Sequence, residues 1–325
     1  MPSIAPYDLG EFVERTVFLG DTPVFALADG HLHLPAGGGS VLQAHDGGLL
    51  CAAYDPFSDR LLTGGEDGKV MALGAKGQLS ELASIGAKWI SSVAGGPNGA
   101  AGFGSGRTAY ARAGDGTLKQ RAFERTVEGI AFAPKGFRCA IARYDGASLY
   151  FPATEAEPAF LEWKGAHLDV AFSPDGRFVV TTMQENALHG WRVSDGKHMR
   201  MTGYPAKVKD WSWSAKGKFL ATTGAPAAIL WPFSGKDGPM GKAPLELGTR
   251  GDTMVTAVAC HPSEDMLAIG YQDGMILAVR FQDQKEALLR RGGTAPVRTM
   301  AWDGGGRLLA FGSETGEAGV VDIAG

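Results

Sequence analysis

The stretch "VAFSPDGRFVVTT" at residues 170–182 recurs in altered form along the chain, and that recurrence constrains the fold more than any other feature. Related phrases are "IAFAPKGFRCAIA" at 130–142, "DWSWSAKGKFLATT" at 210–223, "VACHPSEDMLAIG" at 258–270 and "MAWDGGGRLLAFG" at 300–312. Each reads as an apolar strand, a turn and a second apolar strand. Pro presets φ at such turns, and Gly supplies the positive φ they need. Aligned on Pro174, the series runs Gly20, Pro56, Pro97, Pro134, Pro174, Ala215, Pro262 and Gly304, with neighbours 36 to 47 residues apart.

Within a unit, the second strand meets a further turn, as at Asp67-Gly68, Asp145-Gly146 and Asp273-Gly274. That dipeptide suits a two-residue hairpin, because both central positions need positive φ. A third strand and a looser fourth strand complete the unit. The N-terminal "ERTVFLGDTPVFALADGHLHLP" carries the same phrase in a worn form. A repeat of about 40 residues made of short strands is the spacing of a propeller blade. The expected fold is therefore all-β, one closed propeller of four-stranded blades spanning residues 1–325. Eight blades are expected, at about 3–40, 41–78, 79–117, 118–157, 158–197, 198–241, 242–285 and 286–325. A seven-bladed ring with one irregular N-terminal sheet stands second. The first strands also show a column of small residues (Ala53, Ala94, Ala131, Ala171, Ala259, Ala301) beside a mostly large one (Phe18, Tyr54, Phe132, Phe172, Trp213, Trp302). Successive strand residues face opposite ways, so each sheet should set a small face against a neighbour's large one.

Composition agrees. The hydrophobic share is 44%, enough for a large core, and 48 glycines without a short period sit where turns are needed. No run reaches the roughly 20 apolar residues of a membrane helix, and "MPSIAPYDLGEF" has neither the basic nor the apolar part of a secretory leader. Cys51, Cys139 and Cys260 fall in strand interiors without paired spacing and read as reduced, buried thiols of a cytoplasmic protein. A net charge of −4 gives no reason to expect nucleic acid or an anionic membrane as partner.

The repeated phrase resembles the WD40-repeat β-propeller family, and "AHDGGLLCAAYDPFSDRLLTGGEDGKVMAL" (44–73) resembles a nearly full repeat. There His45 matches the family's Gly-His histidine and Asp67 its turn aspartate. The Trp-Asp pair that names the family is missing from most units: Trp191-Arg192 and Trp231-Pro232 keep the Trp, and Val321-Asp322 keeps the Asp. The resemblance implies a non-catalytic platform for a protein partner, a monomeric ring without a cofactor.

Binding is expected on the rim of the central channel, where strand starts converge. Trp89, Lys207, Lys209, Met254 and Arg298 fall there and make a mixed apolar and cationic site. The alternative is metal handling: His31 and His33, two apart on a strand, share a face that suits a transition metal, with His45 as third ligand. A propeller hydrolase is the remaining reading. No catalytic residue is assigned, because the chain has no nucleophile elbow, and "GFGSG" (102–106) lacks the Lys and helix of a phosphate loop. His189 and His261 read as structural.

Overall fold

The computed structural model describes residues 2–35 and 39–324. It divides into two compact units: unit 1 holds residues 1–28, 32–41 and 204–325, and unit 2 holds 29–31 and 42–203. Apart from a single 3-10 turn at Pro97–Gly99, the described regular elements are strands. Among the described residues no helix is long and apolar enough to cross a membrane.

The strands form seven antiparallel sheets, six of four strands and one of six. The expectation of eight blades is corrected by this count. Sheet I begins at Val13–Leu19, sheet II at Leu49–Asp55 and sheet III at Ser92–Gly95. Sheet IV begins at Gly129–Phe132, V at Trp211–Trp213, VI at Val255–Cys260 and VII at Val297–Trp302. Sheet IV is the six-stranded one and takes up two copies of the repeated phrase. Its strand Ala159–Phe172 pairs on one side with Cys139–Tyr150 and on the other with Phe178–Met183. Hydrogen bonding therefore continues from the fourth repeat unit into the fifth, with register shifts at Tyr144/Gly146 and His167/Asp169 absorbing the irregularity. The runner-up reading put the irregular sheet at the N-terminus, but sheet I has four strands in sequential order.

In unit 1, Ser3–Asp8 adds to Glu317–Asp322 as the outermost strand of sheet VII, from Ser3 opposite Asp322 to Asp8 opposite Glu317. First strands of successive sheets lie side by side, V against VI, VI against VII and VII against I. In unit 2 the same neighbouring holds for II against III and III against IV.

Small and large faces interlock between these sheets. In unit 1, Ala257, Ala259, Ala268 and Ala278 of sheet VI pack against Val297, Met300, Leu309 and Phe311 of sheet VII. Sheet VII in turn sets Ala310 and Ala318 against Val13, Phe18 and Phe25 of sheet I. In unit 2, Ala109 and Ala111 of sheet III meet Ile130, Phe132 and Ile141 of sheet IV. Within sheet IV, Ala140, Ala142 and Ala147 meet Val170, Phe172, Val179 and Trp191. Burial of each large side chain contributes roughly 1.5–3 kcal/mol.

Polar groups tie sheets together where apolar packing ends. Asp55, wholly buried at the end of sheet II's first strand, accepts from Arg60 Nε at 2.7 Å and from the Phe57 amide at 3.0 Å. Arg60 Nη2 then donates to the carbonyls of Gly99 and Ala100 in unit 2, each at 3.1 Å. Removing one member of a buried ion pair strands the other in low dielectric, so Asp55→Ala should cost about 3–5 kcal/mol. Urea denaturation measures this. A loss below about 1 kcal/mol, the worth of an exposed pair, would contradict the role given to Asp55.

Candidate functional site

The first strands of unit 1 run in one direction. Asp210 Oδ2 accepts from the Val258 amide at 2.9 Å, and two residues on, Ser212 Oγ accepts from the Cys260 amide at 2.9 Å. Both contacts step the same way along the two strands, so V and VI start at the same end. Further along the series, the Trp302 indole donates to the Ala259 carbonyl at 3.0 Å, and Thr299 Oγ1 accepts from the Thr16 amide at 3.1 Å.

Charged side chains collect at the strand starts. Arg298 Nη2 lies 3.1 Å from Glu14 Oε1, and its guanidinium carbon is 5.7 Å from the centre of the Phe12 ring. The amides of Lys209 and Asp210 both donate to Thr223 Oγ1 at 3.1 Å, which fixes the chain just before sheet V. Burial raises the Glu14 carboxyl above its ordinary range, opposed by Arg298 and then Arg15. Asp210 is raised for the same reason, with Arg15, the Val258 amide and Arg298 opposing. A cavity of about 200 Å³ beside these groups is lined by Arg15, Asp210, Ser212, Cys260, Thr299 and Trp302 among others. Two guanidiniums, Arg15 and Arg298, thus act on two carboxylates that burial disfavours in their charged form, and Lys207 and Lys209 lie in the chain just before the first strand of sheet V. An arrangement of this kind recognises anionic groups.

Of the residues expected to bind a partner, Lys207, Lys209, Met254 and Arg298 lie at or just before these strand starts in unit 1. Lys209 is exposed, and Met254 and Lys207 are partly so. Trp89 lies in unit 2, where its side chain is 64% exposed. Arg15 and Asp210 were not singled out in the sequence. Asp210 follows Lys209 by one position, and that offset was the available signal.

The histidines expected to bind metal have other occupations. His45 is buried and uses both ring nitrogens, Nδ1 with Asp67 at 3.0 Å and Nε2 with Thr63 at 2.8 Å. His31 Nδ1 lies 3.1 Å from an Asp29 carboxylate oxygen. His33 lies beside the Tyr7 ring, and burial lowers its pKa. Among the described residues no group of three His, Cys, Asp or Glu is placed to hold a metal ion. His261 caps a turn, its Nε2 against the Gly306 carbonyl at 2.9 Å and its Nδ1 accepting from the Glu264 amide at 3.0 Å.

His189 belongs to the core of unit 2. It is fully buried, stacked on Trp163 with ring centres 4.1 Å apart and next to Trp191, and neither ring nitrogen has a hydrogen-bond partner. Burial above all, then the charges of His198, His167 and Arg200, push its pKa from 6.5 down to about 3. His167 is lowered as well, chiefly by burial. His189 therefore stays neutral in the folded chain well below pH 6.5, whereas the unfolded chain takes up its proton as the pH falls below about 6.5. Stability should be full above about pH 6.5 and should fall as the pH drops from there, by about 1.4 kcal/mol per pH unit for each such proton. Urea midpoints at pH 7 and pH 5 measure the loss, and His189→Phe should flatten it. An unchanged pH slope in that variant would contradict the assignment.

Two family models match parts of the chain. The WD domain, G-beta repeat model matches residues 39–71, and the anaphase-promoting complex subunit 4 WD40 domain model matches 252–325. No curated protein matches the chain at a significant level. Among solved structures, the C-terminal WD40 domain of Sif2 is similar at a TM-score of 0.76 and 13% identity, covering 98% of this chain and 99% of that one. The computationally designed Ika8 protein is similar at a TM-score of 0.75 and 18% identity, covering 97% and 98%. The Cps50 (Swd1) β-propeller domain of Myceliophteria thermophila matches at 0.67 and 14% identity, over 86% and 98%. A chain in the mitotic checkpoint complex matches at 0.67 and 14%, over 85% and 87%. At these identities the likeness concerns the fold.

Proposed function

We propose that this chain, which matches WD40 models over residues 39–71 and 252–325 and shares the propeller fold, is a non-catalytic platform that binds a protein partner through the strand-start end of unit 1. Propellers of this kind are generally interaction scaffolds, and one structurally similar chain comes from a multiprotein complex. Fold alone does not give function, so the reading rests on the site. The observation that carries it is the pair of guanidiniums, Arg15 and Arg298, acting on the partly buried Glu14 and Asp210, with Lys207, Lys209 and Met254 at or just before strand starts of the same unit. Such a surface suits an acidic segment with an apolar anchor. Trp89, the most exposed of the large apolar side chains in the described residues, is proposed as unit 2's own contact. The three free thiols suit the reducing cytoplasm in which we place the protein, as a monomer.

The test is affinity capture with three proteins: wild type, Lys207→Glu/Lys209→Glu and Trp89→Ala. The lysines are surface groups, so the charge reversal should leave the melting temperature within about 2 °C, since surface changes away from special features are usually within about 0.5 kcal/mol. A partner retained by wild type should be lost by the double variant and weakened about tenfold or more by Trp89→Ala, the effect of a binding hot spot. Capture that survives the folded double variant would remove the strand-start end as the site.

A further inference from the structure

One patch of unit 2 carries chemistry that nothing above uses. Arg143 Nε donates to Ser148 Oγ at 2.8 Å, and the guanidinium carbon sits 4.0 Å from the centre of the Phe160 ring and 5.9 Å from that of Phe123. One of five N–H donors is engaged there. Among the described residues the two terminal nitrogens make no hydrogen bond and no ion pair. Arg125 is exposed, lies 5.8 Å from the centre of the Tyr144 ring, and likewise has no ion pair among the described residues. The rings stay open to solvent, Tyr144 being 45% and Phe160 42% exposed.

Arg143 is partly buried among its aromatic neighbours, and that burial lowers its pKa, with the like charge of Arg125 the smallest contribution. Glu124 and Asp145 act in the opposite sense without pairing with it. Asp145 is engaged elsewhere, accepting from the Gly165 amide at 3.3 Å. The carboxylate of Glu157 pairs with Arg121. A stacked guanidinium is held by the ring's negative face and keeps its planar fork free for a carboxylate. An incoming carboxylate would take the donors that Arg143 and Arg125 leave unused, and a cationic segment would not.

We propose that Arg125 and Arg143, with the rings of Tyr144 and Phe160, form a second docking site, for an acidic segment of a protein partner that carries an aromatic side chain. The two forks take carboxylates, and the exposed rings pack against the aromatic group.

The probe is a fluorescein-labelled peptide, Glu-Asp-Phe-Glu-Asp-Phe-Glu, read by fluorescence anisotropy against the full chain. Wild type should bind it saturably, and the same peptide with Lys in place of its acidic residues should not bind. Arg143→Gln and Arg125→Gln should each weaken binding about tenfold, the loss of one charge-assisted bidentate contact. Arg143→Lys, which keeps the charge but not the fork, should fall in between. If Arg143→Gln fails to fold, the exposed Arg125 carries the test alone. Lys207→Glu/Lys209→Glu removes any binding of the peptide at the strand-start end; that variant should still bind it saturably, and adding Arg125→Gln in that background should weaken what remains about tenfold, which separates the two sites. The inference is overturned by no saturable binding at millimolar protein, by unaltered affinity in the glutamine variants, or by binding lost only in the double lysine variant.

Discussion

Everything in this molecule depends on how closely one sheet approaches the next. The second strands of four sheets carry a glycine against which an aliphatic residue, just before or at the start of the next sheet's first strand, is pressed. A Cβ at Gly64 would lie 2.5 Å from Ile90, at Gly104 2.7 Å from Val127, at Gly270 2.7 Å from Val297 and at Gly312 2.5 Å from Val13. The need at these positions is for space rather than for an unusual φ. The glycines let the backbones close, and the alanine faces of sheets III and VI then meet the large faces of sheets IV and VII. Side chains at the strand starts are thereby held on a rigid scaffold although each comes from a different sheet. The arrangement recurs in unit 1 and in unit 2.

Function follows from that rigidity. Arg15, Asp210 and Arg298 are far apart in sequence, yet Asp210 feels both guanidiniums because parallel first strands place them at one end. The carboxylates there are disfavoured by burial while the lysines remain in water. The proposed preference for an anionic partner rests on those guanidiniums, and not on the chain's total charge, which is negative. The patch around Arg143 is built differently, from one hairpin-like stretch and its neighbours, and its cations are stacked on rings instead of being paired.

Much of the fold was legible because a repeated phrase reports the same local physics each time. The small and large columns around Ala259 and Trp302 anticipated the interlocked faces, and the Asp-Gly pairs anticipated turns at Gly68 and Gly274, both of which have positive φ. The sheet count was not legible. The phrase appears at both 130–142 and 170–182, but whether the strand between Ala159 and Phe172 breaks is decided by hydrogen bonding on its two edges, which no pattern in one strand records. For the site, alignment found Lys209 and Arg298 but stopped one residue short of Asp210. His45 looked available for a metal because Thr63, which occupies its Nε2, lies 18 residues away in sequence. Arg143 went unnoticed because its aromatic partners, Phe123 and Phe160, come from either side in the chain.

The most direct measurement is a double-mutant cycle at the close approach between Gly270 and Val297. Gly270→Ala, Val297→Ala and the double variant would be compared by urea denaturation. Gly270→Ala alone should cost about 1–3 kcal/mol through overpacking. Trimming Val297 should restore the space, so the double variant should be more stable than the sum of the single losses allows, by about 1 kcal/mol or more. Strictly additive losses would mean that the two residues do not share that space, and would contradict close sheet approach as the basis of the fold.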